Sequence, residues 1–532
     1  MAEMTGGQAL VRSLHREGVR VVFGLPGVQT YHAMDALHEE PGIRFITTRH
    51  EQATTYMADG YARAGGQVGT ALVVPGPGLL NASAGLGTAY ATSSPVLLVS
   101  GQVNRDRIGQ NVGLLHEVND QMDLVKHITK WRSRILDPAD IPRIVHEAFG
   151  HLTSGRPRPV EIEIPPETLS DVADIELYEP EGPRRTSPDR KSLEQAVSLL
   201  AEARRPVIWA GGGAVSSGAG PALQAVAELL QAPVFTTSEG KGAVSDRHEL
   251  LLGVMRRTSD PIREYFQGAD VVLAVGTRFA DAPVLEGQQV IQIDVDEEEI
   301  GRNHDKTLGI LGDAKLTLER MHSLAREAGV APPSRTAESQ MLRAERAALV
   351  DATQPQGAFV RALREGIPED GIVVAGMTQL GYYSRWFFPV YESGTYLTSS
   401  YFGNLGFAYP TALGAKVARP DRPVVALSGD GGFLFNSQEM ATAVMEGISV
   451  VAVVFNDNAY GNVLRDQVNR FDGNVIGTRL HNPDFMKLAD AYGASGIRVN
   501  GPEELAPALR RAIDADRPAL IEVPVSMMPS PF

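Results

Sequence analysis

Two continuous apolar runs, PVVALS (423–428) and SVVAVVF (449–455), read as central strands of a parallel sheet. Strands buried on both faces lose the polar alternation of a half-exposed strand. The segment 437–447 between them has helical spacing, which completes a βαβ unit. Alternating strand and helix patterns of this kind fill three segments of the chain. Two charged, Pro-containing stretches without apolar period separate them, DVADIELYEPEGPRRTSPDRK (171–191) and EAGVAPPSRTAESQ (327–340). The pattern predicts an α/β chain of three domains, at about 1–170, 190–330 and 350–532, each built on a doubly wound parallel sheet. The outer two segments share too little sequence for an internal duplication to be read from residues alone.

Chemistry enters at the ends of the two apolar strands. Gly429-Asp430-Gly431-Gly432 follows the first, and Asn456-Asp457-Asn458 follows the second. Ligands of parallel sheets bind at the carboxyl ends of the strands, so Asp430 and Asp457 are expected to face one crevice, about two strands apart. Two carboxylates there suit a hard cation such as Mg²⁺, which takes oxygen ligands and shares its shell with a bound phosphate. The glycines would let backbone approach that phosphate closely. Asp and Gly are also ordinary turn formers, and most such turns carry no ligand. A third carboxylate, Glu51, stands at the start of a helix carrying Ala53, Met57, Ala58 and Tyr61; read alone, it also fits a residue that complements the helix dipole. In the central segment, PVIWAGGGAVSSGAG (206–220) is a strand followed by a Gly-rich turn, with VVLAVGTRFAD (271–281) and VIQIDVDEEEI (290–300) beyond it. Its glycines do not follow the G-x-G-x-x-G spacing that seats a pyrophosphate, so a structural turn is the favoured reading.

Composition narrows the function classes. The chain has 532 residues, enough for about three domains with cores of their own. Apolar content of 43% and charged content of 21% fit a globular protein, and no apolar run approaches the ~20 residues needed to span a bilayer. A net charge of −15 argues against binding to nucleic-acid backbones, which calls for clustered Lys and Arg. The absence of cysteine excludes thiolate catalysis and Cys-based zinc sites. The start, MAEMTGGQALVRSLHREG, lacks the basic flank and apolar stretch of a signal peptide, so a cytoplasmic location is expected.

The Gly-Asp-Gly turn, followed some two dozen residues later by Asn456, resembles the thiamine diphosphate motif. The context RHEQAT…ADGYAR…VPGPG around Glu51 resembles the N-terminal domain of the acetolactate synthase family. Matches continue through VFGLPG (22–27), SPVLLVSGQV (94–103), HITKW (127–131), GGG (211–213) and GNLGFAYPTALGA (403–415). On these motifs the chain is identified as a member of the acetolactate synthase and benzoylformate decarboxylase superfamily. The resemblance implies a pyrimidine-binding domain, a central domain and a diphosphate-binding domain. Mg²⁺ would be held by Asp430, the side chain of Asp457 and the Ala459 carbonyl. Further cofactor-binding positions would be Pro26, Gly27, Gln379, Ser399, Gly403, Leu405, Gly429, Gly431, Gly432, Asn456, Tyr460 and Gly461. Glu51 would hydrogen-bond the aminopyrimidine ring and favour its imino tautomer, so that the cofactor's own 4′-nitrogen acts as the base. In this family the cofactor lies between two subunits, which implies a homodimer or homotetramer with shared sites. Anabolic acetolactate synthases also bind FAD with the central domain. VGTRFAD resembles one of their motifs while several flanking motifs are missing, which leaves FAD as an open occupant.

Departures from the family pattern bear on substrate. Asp457 stands where the second Asn of a common Asn-Asn pair is usual, and Leu380 stands where acetolactate synthases commonly carry His. Leu405 matches the bulky apolar position that props the cofactor in its bent form. Leu115-His116-Glu117 replaces the family's Phe-Gln-Glu near the reacting centre, so His116 and Glu117 are candidate catalytic residues. His116 could protonate carbon or hold a carboxylate; it equally fits a solvated loop position. The paired His residues of pyruvate decarboxylases are absent, and PGPGLLNAS (75–83) lacks the His of benzoylformate decarboxylase. The expectation is decarboxylation of a 2-oxo acid such as pyruvate followed by carboligation. A dedicated 2-oxo acid decarboxylase and a lyase acting on 2-hydroxyacyl compounds are the alternatives. Glu51, Asp430 and Asn456 together argue against a noncatalytic paralogue.

Overall fold

A computed structural model describes residues 2–256, 260–280 and 282–530. Three six-stranded sheets, all parallel, organise it. The first has the spatial order Arg44–Thr47, Val21–Gly24, Gly69–Val73, Val96–Gly101, Val160–Ile164, Trp131–Arg134. The third runs Tyr396–Thr398, Ile372–Ala375, Val424–Gly429, Val450–Asn456, Ala519–Pro524, Ser495–Arg498. Numbered along the chain within each sheet, both orders read 2-1-3-4-6-5, so the outer sheets share a topology that their residues alone do not reveal. The central sheet has the order 3-2-1-4-5-6 of a dinucleotide-binding half-sheet pair, from Leu251–Gly253 at one edge to Thr307–Leu311 at the other. Its strands Val271–Val275 and Gln289–Asp294 are almost wholly buried, as their Val- and Ile-rich runs require.

The outer sheets are coupled through two small-residue helices, Glu51–Gly65 and Ala408–Ala418. A Cβ on Gly60 would lie 2.0 Å from the Thr411 carbonyl oxygen, and one on Gly414 would lie 1.9 Å from that of Met57. Glycine at both positions therefore lets the backbones touch. Tyr56, Met57 and Tyr61 from one helix and Ala412, Leu413 and Ala415 from the other join a single buried cluster that reaches both sheets. The central domain has clusters of its own.

The expected linkers differ from each other. Residues 176–189 contain no regular element, but the preceding strand Val172–Ile175 pairs antiparallel with Ala2–Thr5 and closes the first domain. The second stretch is not a linker throughout, because a helix, Thr336–Ala352, begins inside it. Arg346 on that helix is buried, donating to the Val254 carbonyl (2.8 Å) and the Trp386 carbonyl (3.0 Å), and so ties the central sheet to the third. Among the described residues no helix is long and apolar enough to cross a membrane.

Candidate active site

The expectation that Asp430 and Asp457 lie about two strands apart is corrected by the structure. Val424–Gly429 and Val450–Asn456 are direct neighbours in register, with Gly429 opposite Phe455. Both aspartates therefore leave adjacent strand ends, beside the point where the strand order reverses between Ile372–Ala375 and Val424–Gly429. A crevice is expected at such a switch point. A cavity of about 360 Å³ lies there, lined by Met377–Gln379, Tyr382, Gly403, Leu405, Gly429–Gly432, Phe455, Asp457, Ala459–Val463, Val525 and Met528.

Its electrostatics point to a cation. Burial and the neighbouring charge of Asp430 push the Asp457 carboxyl up to about 6, and burial raises Asp430 as well. Hydrogen bonds from the Asn482 amide to Asp430 Oδ2 (2.6 Å) and to Asn456 Oδ1 (2.9 Å) brace this edge. Two carboxylates in one crevice, Asp430 buried and Asp457 partly so, repel unless a proton or a cation lies between them. Among the described residues no cluster of three or more His, Asp or Glu side chains forms a metal centre by itself. A cation here would thus complete its shell with backbone oxygen, water and an anionic ligand, as Mg²⁺ does with phosphates. The glycines fit that ligand: a side chain on Gly431 would meet the Tyr460 ring at 2.6 Å, and one on Gly461 would meet Asp457 Oδ2 at 2.1 Å. The donor set and the space both suit a diphosphate with its metal.

Leu405 lines the same cavity, 3.7 Å from the point where a Gly432 Cβ would sit. Leu380, in contrast, is fully buried in the core of the third sheet and does not reach the cavity. Two residues assigned by resemblance lie elsewhere. Ser399 is fully buried, its hydroxyl without a hydrogen-bond partner among the described residues, and it does not line the cavity. Asn456 turns its amide to Glu522 (2.8 Å), so it braces the strand end instead of facing the cavity. Thr378, Tyr382, Asn462, Met528 and Asn482 were not singled out from the sequence; no motif marks them, because they arrive from separate loops and helices.

The N-terminal candidates gather at the carboxyl edge of the first sheet. Glu51 opens its helix and accepts a hydrogen bond from Asn81 Nδ2 at 2.9 Å. Pro26 and Gly27 follow the strand Val21–Gly24, and Gly27 leads into a 3₁₀ turn, Val28–Thr30. His116 bonds the side chain of Gln29, with its Nδ1 3.0 Å from Gln29 Oε1. The Glu117 carboxylate is occupied by its own loop, accepting from the N–H groups of Val112, Gly113 and Leu114, which lowers its pKa. Among the described residues none before Met377 lines the Asp430 cavity.

A second cavity, about 370 Å³, opens beside the central sheet and is lined by Gly212, Gly213, Thr277, Arg278, Asp294, Arg156 and Arg185 among others. The Gly-rich turn is closely packed: a Cβ on Gly213 would lie 2.7 Å from Gly276 Cα. Of the motif VGTRFAD, Asp281 lies outside the described residues.

Comparison with known proteins agrees with this geometry. Three thiamine pyrophosphate enzyme models match: the N-terminal TPP binding domain over residues 4–124, the central domain over 193–321 and the C-terminal TPP binding domain over 376–523. A probable 2-ketoarginine decarboxylase, AruI, of Pseudomonas aeruginosa is 38% identical, covering 98% of this chain and 94% of the relative. A probable acetolactate synthase large subunit of Methanocaldococcus jannaschii is 34% identical over 98% and 92% of the two chains. The acetolactate synthase isozyme 3 large subunit of Escherichia coli is 32% identical over 97% and 93%. With the carboxylate pair at the switch point and matches along nearly the whole length, the chain belongs to the thiamine pyrophosphate enzymes, in the superfamily that includes the acetolactate synthase large subunits.

Proposed function

We propose that this enzyme uses thiamine diphosphate and Mg²⁺ to decarboxylate a pyruvate-like 2-oxo acid and joins the remaining acyl unit to an acceptor, as in acetolactate synthesis. The observation that carries the reading is the Asp430 and Asp457 pair facing a glycine-lined cavity at the switch point of the third sheet. When bound there, the cofactor supplies an electron sink for the carbon that loses CO₂. Asp430, Asp457 and the Ala459 carbonyl hold the metal, and Gly429, Gly431, Gly432 and Gly461 leave room for the diphosphate. Met377, Leu405, Val463 and Val525 keep the reacting end dry. Glu51, oriented by Asn81, meets the aminopyrimidine. Following the family arrangement, Glu51 of a second copy serves the cavity, in a homodimer or homotetramer; among the described residues the cavity lining of one chain comes from the third domain alone, which suits that arrangement. Exposed apolar side chains beside these elements, including Leu80, Leu115, Phe402 and Phe435, support such a contact. We take about 1–170, extended by the strand Val172–Ile175 that pairs with Ala2–Thr5, 190–330 and 350–532 as the domains, and the cytoplasm as the location.

A second reading, decarboxylation ending in proton capture on a 2-oxo acid with a cationic side chain, is favoured by the relative described as a probable 2-ketoarginine decarboxylase. Incubation with thiamine diphosphate, Mg²⁺ and either pyruvate or 2-ketoarginine, with products read by NMR, separates the two. Acetolactate supports the first reading; an aldehyde from 2-ketoarginine, with pyruvate untouched, supports the second. FAD remains a candidate for the central cavity, whose lining includes Arg156, Arg185 and Arg278 as groups that could meet an anionic ligand. A flavin absorbance in the purified protein, or its absence after reconstitution with FAD, decides that point.

A further inference from the structure

We propose that Gln29 is a positioning residue that fixes His116 as the Nδ1–H tautomer and so presents Nε2 of His116 as a proton acceptor at the carboxyl edge of the first sheet. The role in turnover rests on the reading of the protein as a 2-oxo acid enzyme. The tautomer itself does not.

The argument begins with what each group can do. Gln29 is 7% exposed, and its side-chain amide has two partners. Its Nε2 lies 3.1 Å from the Leu115 carbonyl oxygen, and its Oε1 lies 3.0 Å from His116 Nδ1. A carbonyl oxygen only accepts, so the NH₂ end must face Leu115. Flipping the amide would set the Gln29 and Leu115 oxygens, two acceptors, against each other at 3.1 Å. The Oε1 end therefore faces the imidazole, and it too only accepts. Nδ1 must carry the hydrogen, which leaves the lone pair of the neutral ring on Nε2.

The backbone around the ring is held with equal care. His116 has φ +68°, a left-handed conformation that is unfavourable for a residue with a Cβ by about 1 kcal/mol or more. Such strain persists where the surroundings over-determine it. Here a Cβ on Gly76 would lie 2.4 Å from the His116 carbonyl oxygen, and Gly76 itself has φ +55°. The Gly76 N–H donates to Gln121 Oε1 at 2.9 Å, and buried Gln121 donates onward to the Gly101 carbonyl and to Glu163. Glu117 caps the preceding turn. These contacts fix the loop, while Gln29 is the group hydrogen-bonded to Nδ1 of the ring among the described residues. Gln29 and Gly76 follow the strands Val21–Gly24 and Gly69–Val73, which flank the switch point of this sheet, the place where its ligand is expected. A histidine that was merely solvated would need none of this scaffolding.

In turnover the keto oxygen of the 2-oxo acid would become a hydroxyl once its carbon is attacked, and Nε2 would accept the proton of that hydroxyl at product release: the O–H bond breaks, its electron pair re-forms the product carbonyl as that carbon leaves its carrier, an Nε2–H bond forms, and the imidazolium later returns the proton to solvent. Two readouts test the proposal on the full-length protein. The first is the ring ¹⁵N spectrum of histidine-labelled protein at mildly alkaline pH, with His116→Ala identifying the signals. Protonated Nδ1 with bare Nε2 is expected in the wild type, changing to a mixed pattern in Gln29→Leu. An Nε2–H or mixed pattern in the wild type overturns the proposal, as does an unchanged pattern in Gln29→Leu. The second is turnover of the 2-oxo acid: Gln29→Leu should lower kcat about tenfold or more with KM little changed, and Gln29→Glu, which keeps an acceptor at Nδ1, should recover part of it. Equal loss in both variants, or a loss confined to KM, overturns the positioning role. If no 2-oxo acid is turned over at all, the function reading fails while the ¹⁵N spectrum still decides the tautomer.

Discussion

Gln379 donates its side-chain amide to Asp457 Oδ2 across 2.7 Å. Its carbonyl oxygen accepts in turn from Arg465 Nη1 (3.1 Å) and from the Met528 N–H (2.9 Å). Arg465 is 3% exposed, so a buried cation stands one residue behind the extra carboxylate that this chain carries. The Gln379 amide both orients Asp457 and relays that positive charge. Asp457 in place of Asn is thereby compatible with an anionic cofactor.

Gln379→Leu removes the donor and keeps the side-chain volume. We expect Mg²⁺-dependent affinity for thiamine diphosphate to fall about tenfold by isothermal titration calorimetry, with far-UV circular dichroism unchanged. Unaltered affinity would show that Asp457 needs no support from Gln379.

Asp430 and Glu51 should separate binding from activation. Asp430→Ala is expected to lose the thermal stabilisation that thiamine diphosphate and Mg²⁺ give the wild type, since ligand binding is what raises the apparent Tm. Glu51→Gln is expected to keep that stabilisation and lose turnover by about a hundredfold or more. Full activity in Glu51→Gln would remove Glu51 from the mechanism.

Buried acids away from the cavity give a pH signature. Glu161 is fully buried beside Glu163 on the strand Val160–Ile164, and burial followed by the Glu163 charge pushes its carboxyl up to about 8. Ser100 donates to it at 2.6 Å. The folded value exceeds the ordinary 4.5, so the fold binds a proton that the unfolded chain releases. Stability from this group is complete at acid pH and declines as pH rises from about 4.5 towards 8. Glu161→Gln, neutral throughout, should become more stable than the wild type by on the order of 1–3 kcal/mol near pH 8, with little gain near pH 5. Tm measured across that range checks the slope; a gain independent of pH would contradict it.

The helix crossing that joins the outer domains predicts a stability effect without an electrostatic part. Gly414→Ala places a methyl group against the Met57 carbonyl, and neither backbone can yield without moving a helix. A loss of about 1–3 kcal/mol or more is expected in denaturant unfolding. A neutral substitution would mean that the crossing is looser than described.

The sequence reveals most where chemistry is concentrated on short strand ends. Asp430, Asp457, Ala459 and Gly461 share a crevice because each follows an apolar strand that is unmistakable as a run of Val, Ala and Phe. Adjacency of those strands was not legible, since strand order is set by crossovers packing elsewhere. Nor was the common topology of the outer sheets, because the same strand order is built here from sequences with little in common. Asn482 reaches Asp430 from a loop with no motif, and Ser399 and Asn456, carried over from a family pattern, proved to be buried or turned aside. The helix Thr336–Ala352 was hidden because only Ser339, Leu342 and Arg346 on it are buried, too few to give an apolar period.

The most direct test of the whole account is release of CO₂ from 2-oxo acids by purified protein stripped of cofactor and then reloaded. The account predicts CO₂ from pyruvate or from 2-ketoarginine only when thiamine diphosphate and Mg²⁺ are both present, and almost none from Glu51→Gln under the same conditions. Release independent of the cofactor, or undiminished in Glu51→Gln, would contradict it.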